Sequence, residues 1–208
     1  MRRISMLSAA LATLAVFAVP VASAAESSPI APPVFSFHVG GAGDANGEFG
    51  CAHGIDVGSR DGIYIADGAG ARVQKFNKTG VYVNQWGDFG TADGEFGYPT
   101  GLAVNSSDQV IVVDRDLDRV QMFESDGTFV RKFGATGTGD GQFDSPFAVA
   151  VDSNDRIIVG DTGNDRIQVF DSTGGFLFAF GSTGSETFGE KHFIWKVAVS
   201  EELVRAEK

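Results

Sequence analysis

The chain has 208 residues, 43% of them apolar, with 28 glycines, 18 phenylalanines and a formal charge of −11. That is enough for one sizeable core, and the glycine and aromatic load favours many short strands and tight turns. So acidic a surface repels phosphate backbones and excludes nucleic acid as a partner class, and the single cysteine, Cys51, excludes an internal disulfide.

The first 24 residues have the layout of a secretory signal peptide. Arg2 and Arg3 precede an apolar stretch from about Met6 to Val19, and Ala22-Ser23-Ala24 supplies the small residues of a cleavage site. The apolar run is short for a bilayer span. The expected mature chain therefore starts at Ala25, is secreted or periplasmic, and keeps no membrane anchor. It carries fourteen Lys and Arg against 27 Asp and Glu, a net charge of −13 over 184 residues. In an oxidising compartment a lone thiol such as Cys51 reads as a small buried hydrophobe. Residues 25–33, rich in Pro and Ser, read as a flexible linker.

From Val34 onward the chain repeats itself every 47 residues. Units fall at about 41–87, 88–134 and 135–181, with a partial unit over 182–208. Gly47, Gly94 and Gly141 each precede a phenylalanine by two residues (Phe49, Phe96, Phe143). Runs ending at Asp67, Asp114 and Asp161 are followed by Arg72, Arg119 and Arg166, which open strands closing at Phe76, Phe123 and Phe170. Each unit predicts four short strands; in the second they are roughly "GLAVN", "QVIVVD", "RVQMFE" and "FVRKFG". The run Val110-Ile111-Val112-Val113 is apolar without alternation, so both faces of that strand must be covered. Small four-stranded antiparallel sheets stacked face to face meet that demand. The predicted fold is an all-β propeller, with the repeated phenylalanines filling the layers between blades.

The Asp/Arg pairs (Asp67/Arg72, Asp114/Arg119, Asp161/Arg166) flank the turn between the second and third strands of each unit. A role needed identically in every blade is structural: the pair pins its hairpin. Binding belongs to positions that differ between blades, on the rim carrying these turns and the inter-blade loops. The candidates there are His53, Tyr98, Arg115, Asp116, Phe147, Asn164 and Asp165. "DRDLD" from Asp114 to Asp118 opens like a calcium loop but has Arg119 at the sixth position and Ser125 at the twelfth, so an EF-hand is rejected.

"FDSPFAVAVDSNDRIIVGDTGNDRIQVFDSTGGFLFAFG" resembles the NHL repeat nearly throughout. The second unit is similar, with "DRDLDR" in place of a small Thr-Gly-Asn turn, and the first is looser, with "DGAGAR". The resemblance covers the chain from about Val34 and implies a propeller, in six-bladed style, of a family that includes binding scaffolds, receptor sensors, RNA-binding domains and some lyases. One relative class, the peptidyl-hydroxyglycine amidating lyases, implies a zinc held by histidines from several blades. His53 suits one such ligand, but Thr100 and Phe147 stand at its equivalents, and one histidine does not make the site.

The expected function is a secreted binding scaffold for a protein, peptide or glycan, with no cofactor, more an interaction module than an enzyme. Two further readings stand beside it. One is a metal-dependent lyase or hydrolase on the same fold, using zinc or calcium. The other is a truncated product without independent function. "VFSFHVG" from Val34 aligns with "VYVNQWG" from Val81, and "WKVAVS" repeats a first strand, so three whole blades and part of a fourth are expected. Propellers close with four to eight. The open edges predict a truncated longer ring or self-association with another chain.

Overall fold

The computed structural model describes residues 38–60 and 62–181. The segments expected to be a signal peptide and a linker, most of the strand expected over Val34–Gly40, Asp61, His192 and the expected partial fourth unit lie outside the described residues. What is described is three four-stranded antiparallel sheets. The first contains β1 (Ala52–Val57), β2 (Ile63–Asp67), β3 (Arg72–Phe76) and β4 (Tyr82–Trp86). The second contains β5 (Pro99–Val104), β6 (Val110–Asp114), β7 (Arg119–Phe123) and β8 (Phe129–Phe133). The third contains β9 (Ala148–Val151), β10 (Ile157–Asp161), β11 (Arg166–Phe170) and β12 (Phe176–Phe180). Strands pair in chain order within each sheet, so each is a simple meander. A short 3-10 turn at Thr162–Asn164 is the one helical piece among the described residues.

Turn chemistry sets the strand ends. Asn105 Oδ1 accepts from the N–H groups of Ser107 and Gln109, and Asp152 Oδ1 from those of Asn154 and Arg156. These are Asx turns, in which a short polar side chain imitates a backbone carbonyl. Each closes through an aspartate at positive φ, Asp108 (63°) and Asp155 (59°), a conformation Asp tolerates better than most residues.

The blades join along their inner strands: β1 packs on β5, and β5 on β9. A Cβ on Gly54 would lie 2.5 Å from the Thr100 carbonyl oxygen, and one on Gly101 2.7 Å from that of Phe147. Glycine there lets neighbouring backbones approach. As the unbroken apolar run predicts, every residue of β6 is buried. Two cores fill the two joints. Val73, Phe96, Leu102, Val110, Val112 and Phe123 sit between the first and second sheets; Ile111, Val120, Met122, Phe143, Ile157 and Phe170 sit between the second and third. Of the six repeated phenylalanines five are wholly buried, and Phe49 is half-buried. Phe49 stacks on Phe76 in the first blade, which has no described sheet on its outer side.

Each blade also buries a polar lock. Arg119 Nε reaches Asp114 at 3.4 Å, Arg72 reaches Asp67 at 3.2 Å, and Arg166 reaches Asp161 at 2.7 Å. The guanidinium then extends past the hairpin to the loop entering the blade; Arg119 donates to the carbonyls of Thr91, Ala92 and Glu95. A buried glutamine completes the set, Gln121 accepting from Gly94 N–H and donating to Glu95 O, with Gln74 and Gln168 doing the same in their blades. The pair thus clamps an inter-blade loop as well as a turn. Its polar groups are satisfied, as burial demands.

Candidate functional site

Where the chain enters the inner strands, one ring comes from each blade. His53 stands near the start of β1, and Phe147 just ahead of β9 at the equivalent place two repeats on. Tyr98 arrives from the loop before β5. His53 Nε2 lies 3.1 Å from the Tyr98 hydroxyl, and the two rings are 5.4 Å apart between centroids. The Phe147 ring stands edge-on to His53 at 5.5 Å. From the β6–β7 turn Arg115 lays its guanidinium 4.4 Å over the Tyr98 ring, a cation–π contact. Its Nε is held by Asp116 at 2.8 Å.

Local backbone explains the convergence. Asp114 accepts the N–H groups of Gly97 and Tyr98, so the buried lock of the second blade also fixes where Tyr98 leaves the loop. Gly68 takes the place that Arg115 holds in the second blade and Thr162 in the third. A Cβ on Gly68 would lie 2.6 Å from the Tyr98 ring and 3.0 Å from His53. Its bare backbone makes room for both rings.

The electrostatics follow from this packing. Burial first, and then the Arg115 charge, lower the pKa of His53 below the ordinary 6.5, against a raising pull from Asp67. His53 is therefore neutral at pH 7. The neighbouring Cys51 side chain, acting as a hydrogen-bond partner, and then burial raise the Tyr98 phenol, which stays a hydroxyl able to donate and accept.

Cys51 belongs to this cluster. It is half-buried rather than a core residue, and its Sγ lies 3.5 Å from His53 Nε2. Residues two apart on an extended chain share a face, so "CAH" already set thiol and imidazole side by side. Asn164 and Asp165 do not join the cluster. Asn164 donates to Asp161 and to the Gly137 carbonyl, tying its own turn to the incoming loop, and Asp165 caps the 3-10 turn at φ 52°. The "DRDLD" carboxylates are likewise spent separately, with Asp118 accepting from Ser145 N–H and the Thr136 hydroxyl. Among the described residues no group of three or more His, Cys, Asp or Glu is placed to hold a metal ion, and no helix is long and apolar enough to cross a membrane.

What forms is an open aromatic shelf with one cation, Arg115, and the hydrogen-bonding heads of Cys51, His53 and Tyr98. Among the described residues Arg115 bonds only through Nε, which leaves both Nη groups for acceptors on a ligand.

The family model for the NHL repeat matches residues 49–76, 96–123 and 143–170. No curated protein matches the sequence. Among solved structures the fold is shared with a streptogramin B lyase at 15% identity and a TM-score of 0.51, over 63% of this chain and 40% of that one. An inactive H270A virginiamycin B lyase from Staphylococcus aureus, solved with quinupristin, aligns at 13% identity and 0.53, over 64% of this chain and 42% of its own. The WD40 repeats of RRP9 align at 12% and 0.52, over 64% and 39%. The chain spans well under half the length of each. At such identities the likeness is one of fold.

Proposed function

This chain is an NHL-repeat protein with a β-propeller fold, and from that premise we propose that it is an exported binding module that takes a peptide segment of a protein partner across the shelf formed by His53, Tyr98, Arg115 and Phe147. Export rests on the leader sequence at residues 1–24. The observation that carries the binding role is the meeting of three rings and an arginine, contributed by different blades, at positions the repeat itself leaves free to vary. Tyr and Arg are the residue types that dominate binding energy at protein interfaces, because each offers a large contact area with a polar handle. A net charge of −13 for the mature chain slows encounter with acidic partners, so a peptide with cationic flanks and one carboxylate or carbonyl for Arg115 fits best. A glycan would stack on the same rings and is the alternative ligand.

The test is selection from a displayed random-peptide library, and in parallel from a glycan array, using the mature chain. Ligands so found should lose about thirtyfold or more in affinity on Tyr98→Ala, the effect of removing a hot-spot side chain. They should lose a comparable amount on Gly68→Ala, which adds one methyl where His53 and Tyr98 now sit. Ligands indifferent to both changes would place binding elsewhere.

One observation favours a second reading, a lyase or hydrolase. Cys51 Sγ stands 3.5 Å from a neutral imidazole, the arrangement of a nucleophile beside its base. Stoichiometric zinc or calcium in the purified protein, or turnover lost in Cys51→Ser, would favour it over binding.

A further inference from the structure

Three rim positions recur in every blade. Cys51, Tyr98 and Ser145 share the first, His53, Thr100 and Phe147 the second, and Gly68, Arg115 and Thr162 the third. The shelf residues are drawn from these positions, and Thr100 shares its own with two of them. Its strand, β5, runs between β1 and β9. The His53 and Phe147 rings therefore meet, 5.5 Å apart, across the strand on which Thr100 holds the same place. Tyr98 precedes Thr100 by two residues and carries the Arg115 guanidinium on its ring. Thr100 is thus the second blade's own side chain at the centre of the shelf.

Thr100 is wholly buried, and its Oγ1 has no hydrogen-bond partner among the described residues. Buried hydroxyls in folded proteins are nearly always bonded, and one left unpaired costs stability. The blade itself does not ask for a hydroxyl here. The two equivalents are an imidazole and a phenyl ring, and valine would fill the same volume without a polar atom. The polar groups at neighbouring rim positions are spent, His53 and Tyr98 on one another and the Ser145 hydroxyl on Asp144.

We propose that Thr100 sets the specificity of the shelf: the ligand seats one uncharged hydrogen-bonding group, an amide or a hydroxyl, between the His53 and Phe147 rings and bonds it to Thr100 Oγ1. This rests on the shelf being the binding site. His53 is exposed, and an exposed side chain changes rotamer readily, so its ring can swing aside for the entering group. That group is uncharged because it loses its water there and meets no counter-charge. Arg115 is drawn over Tyr98 and tied to Asp116, while Asp67 and Asp114 are spent on Arg72 and Arg119. A hydroxyl both donates and accepts. An apolar group in the same place leaves Thr100 unpaired, and a site of that kind discriminates against ligands that lack the polar group.

Calorimetric titration of the tightest peptide from the random-peptide selection tests this. Thr100→Val should lower its affinity about tenfold, the effect of one hydrogen bond. The same variant should melt at or above the native temperature, because it keeps the shape and deletes an unpaired polar atom. Thr100→Ser, which keeps the hydroxyl, should bind nearly as the native chain does. Within the peptide, main-chain amides are replaced by esters and side chains by alanine, one at a time. One of these changes should weaken binding to the native chain and have no effect on binding to Thr100→Val, the coupling expected of two bonded groups. Its place identifies the partner as main chain or side chain. Native affinity in Thr100→Val, with Tyr98→Ala still weakened, would overturn this inference and leave the shelf standing. A valine variant that melts well below the native chain, or a peptide in which no group is coupled to Thr100, would overturn it as well. If the selection yields no peptide, or Tyr98→Ala binds as tightly as the native chain, the shelf reading falls and this one with it.

Discussion

Asp114→Ala is expected to remove about 3–5 kcal/mol of folding stability, the cost of breaking a buried ion pair from one side. Its carboxylate is fully buried, takes the Gly97 and Tyr98 N–H groups, and faces Arg119 at 3.4 Å. Alanine leaves the guanidinium buried without a counter-charge and two amides without an acceptor. Since a whole domain of this kind is held by roughly 5–15 kcal/mol, urea denaturation should show a large fall in midpoint at little-changed slope. Asp114→Asn keeps an acceptor oxygen for the amides and should fall between. A midpoint for the alanine variant within error of the native chain would refute the lock. The same change should also weaken the rim, because Tyr98 loses the bond that fixes its backbone.

Phe123→Ala is the second large effect, at about 3–5 kcal/mol for a wholly buried phenylalanine. Phe123 lies in the joint between the first two blades, with Trp86, Phe96 and Phe129 at centroid distances of 5.9, 5.7 and 6.0 Å. Three rings around one cavity cannot all collapse into it, which puts the cost toward the upper end. Thermal unfolding followed by tryptophan fluorescence in a Trp195→Phe background, where Trp86 is the remaining indole, reads this joint directly. Phe123→Leu, which keeps most of the volume, should cost much less. Equal losses for the two variants would mean that the layer is not close-packed as described.

Much of the fold could be read from the 47-residue offset, because a blade that needs neighbours on both sides repeats its requirements in the chain. The Asp/Arg pairs announced themselves in this way. Gln74, Gln121 and Gln168 carry as clear a signal, a polar residue repeated inside an apolar strand, yet their role as loop clamps emerges only when the loop 26 or 27 residues earlier is seen against them. The shelf was partly legible. Variation between blades picked out His53, Tyr98, Arg115 and Phe147, but it picked out Asn164 and Asp165 equally, and those serve their own turn. Variation shows where the repeat is relaxed; it does not say which relaxed side chains meet. Cys51 was read from its rarity as a core residue, when its spacing from His53 was the better guide.

The account divides labour between repeated positions, which hold the blades, and variable rim positions, which bind. The most direct test replaces three shelf residues by what the protein itself places at their equivalents: His53→Thr after Thr100, Tyr98→Ser after Ser145, and Arg115→Thr after Thr162. Calorimetric titration of a selected peptide into this triple variant, alongside its thermal unfolding, reads both halves at once. The account predicts a melting temperature within a few degrees of the native chain, as expected for substitutions outside the core, and no measurable binding. Native affinity in the triple variant would contradict it.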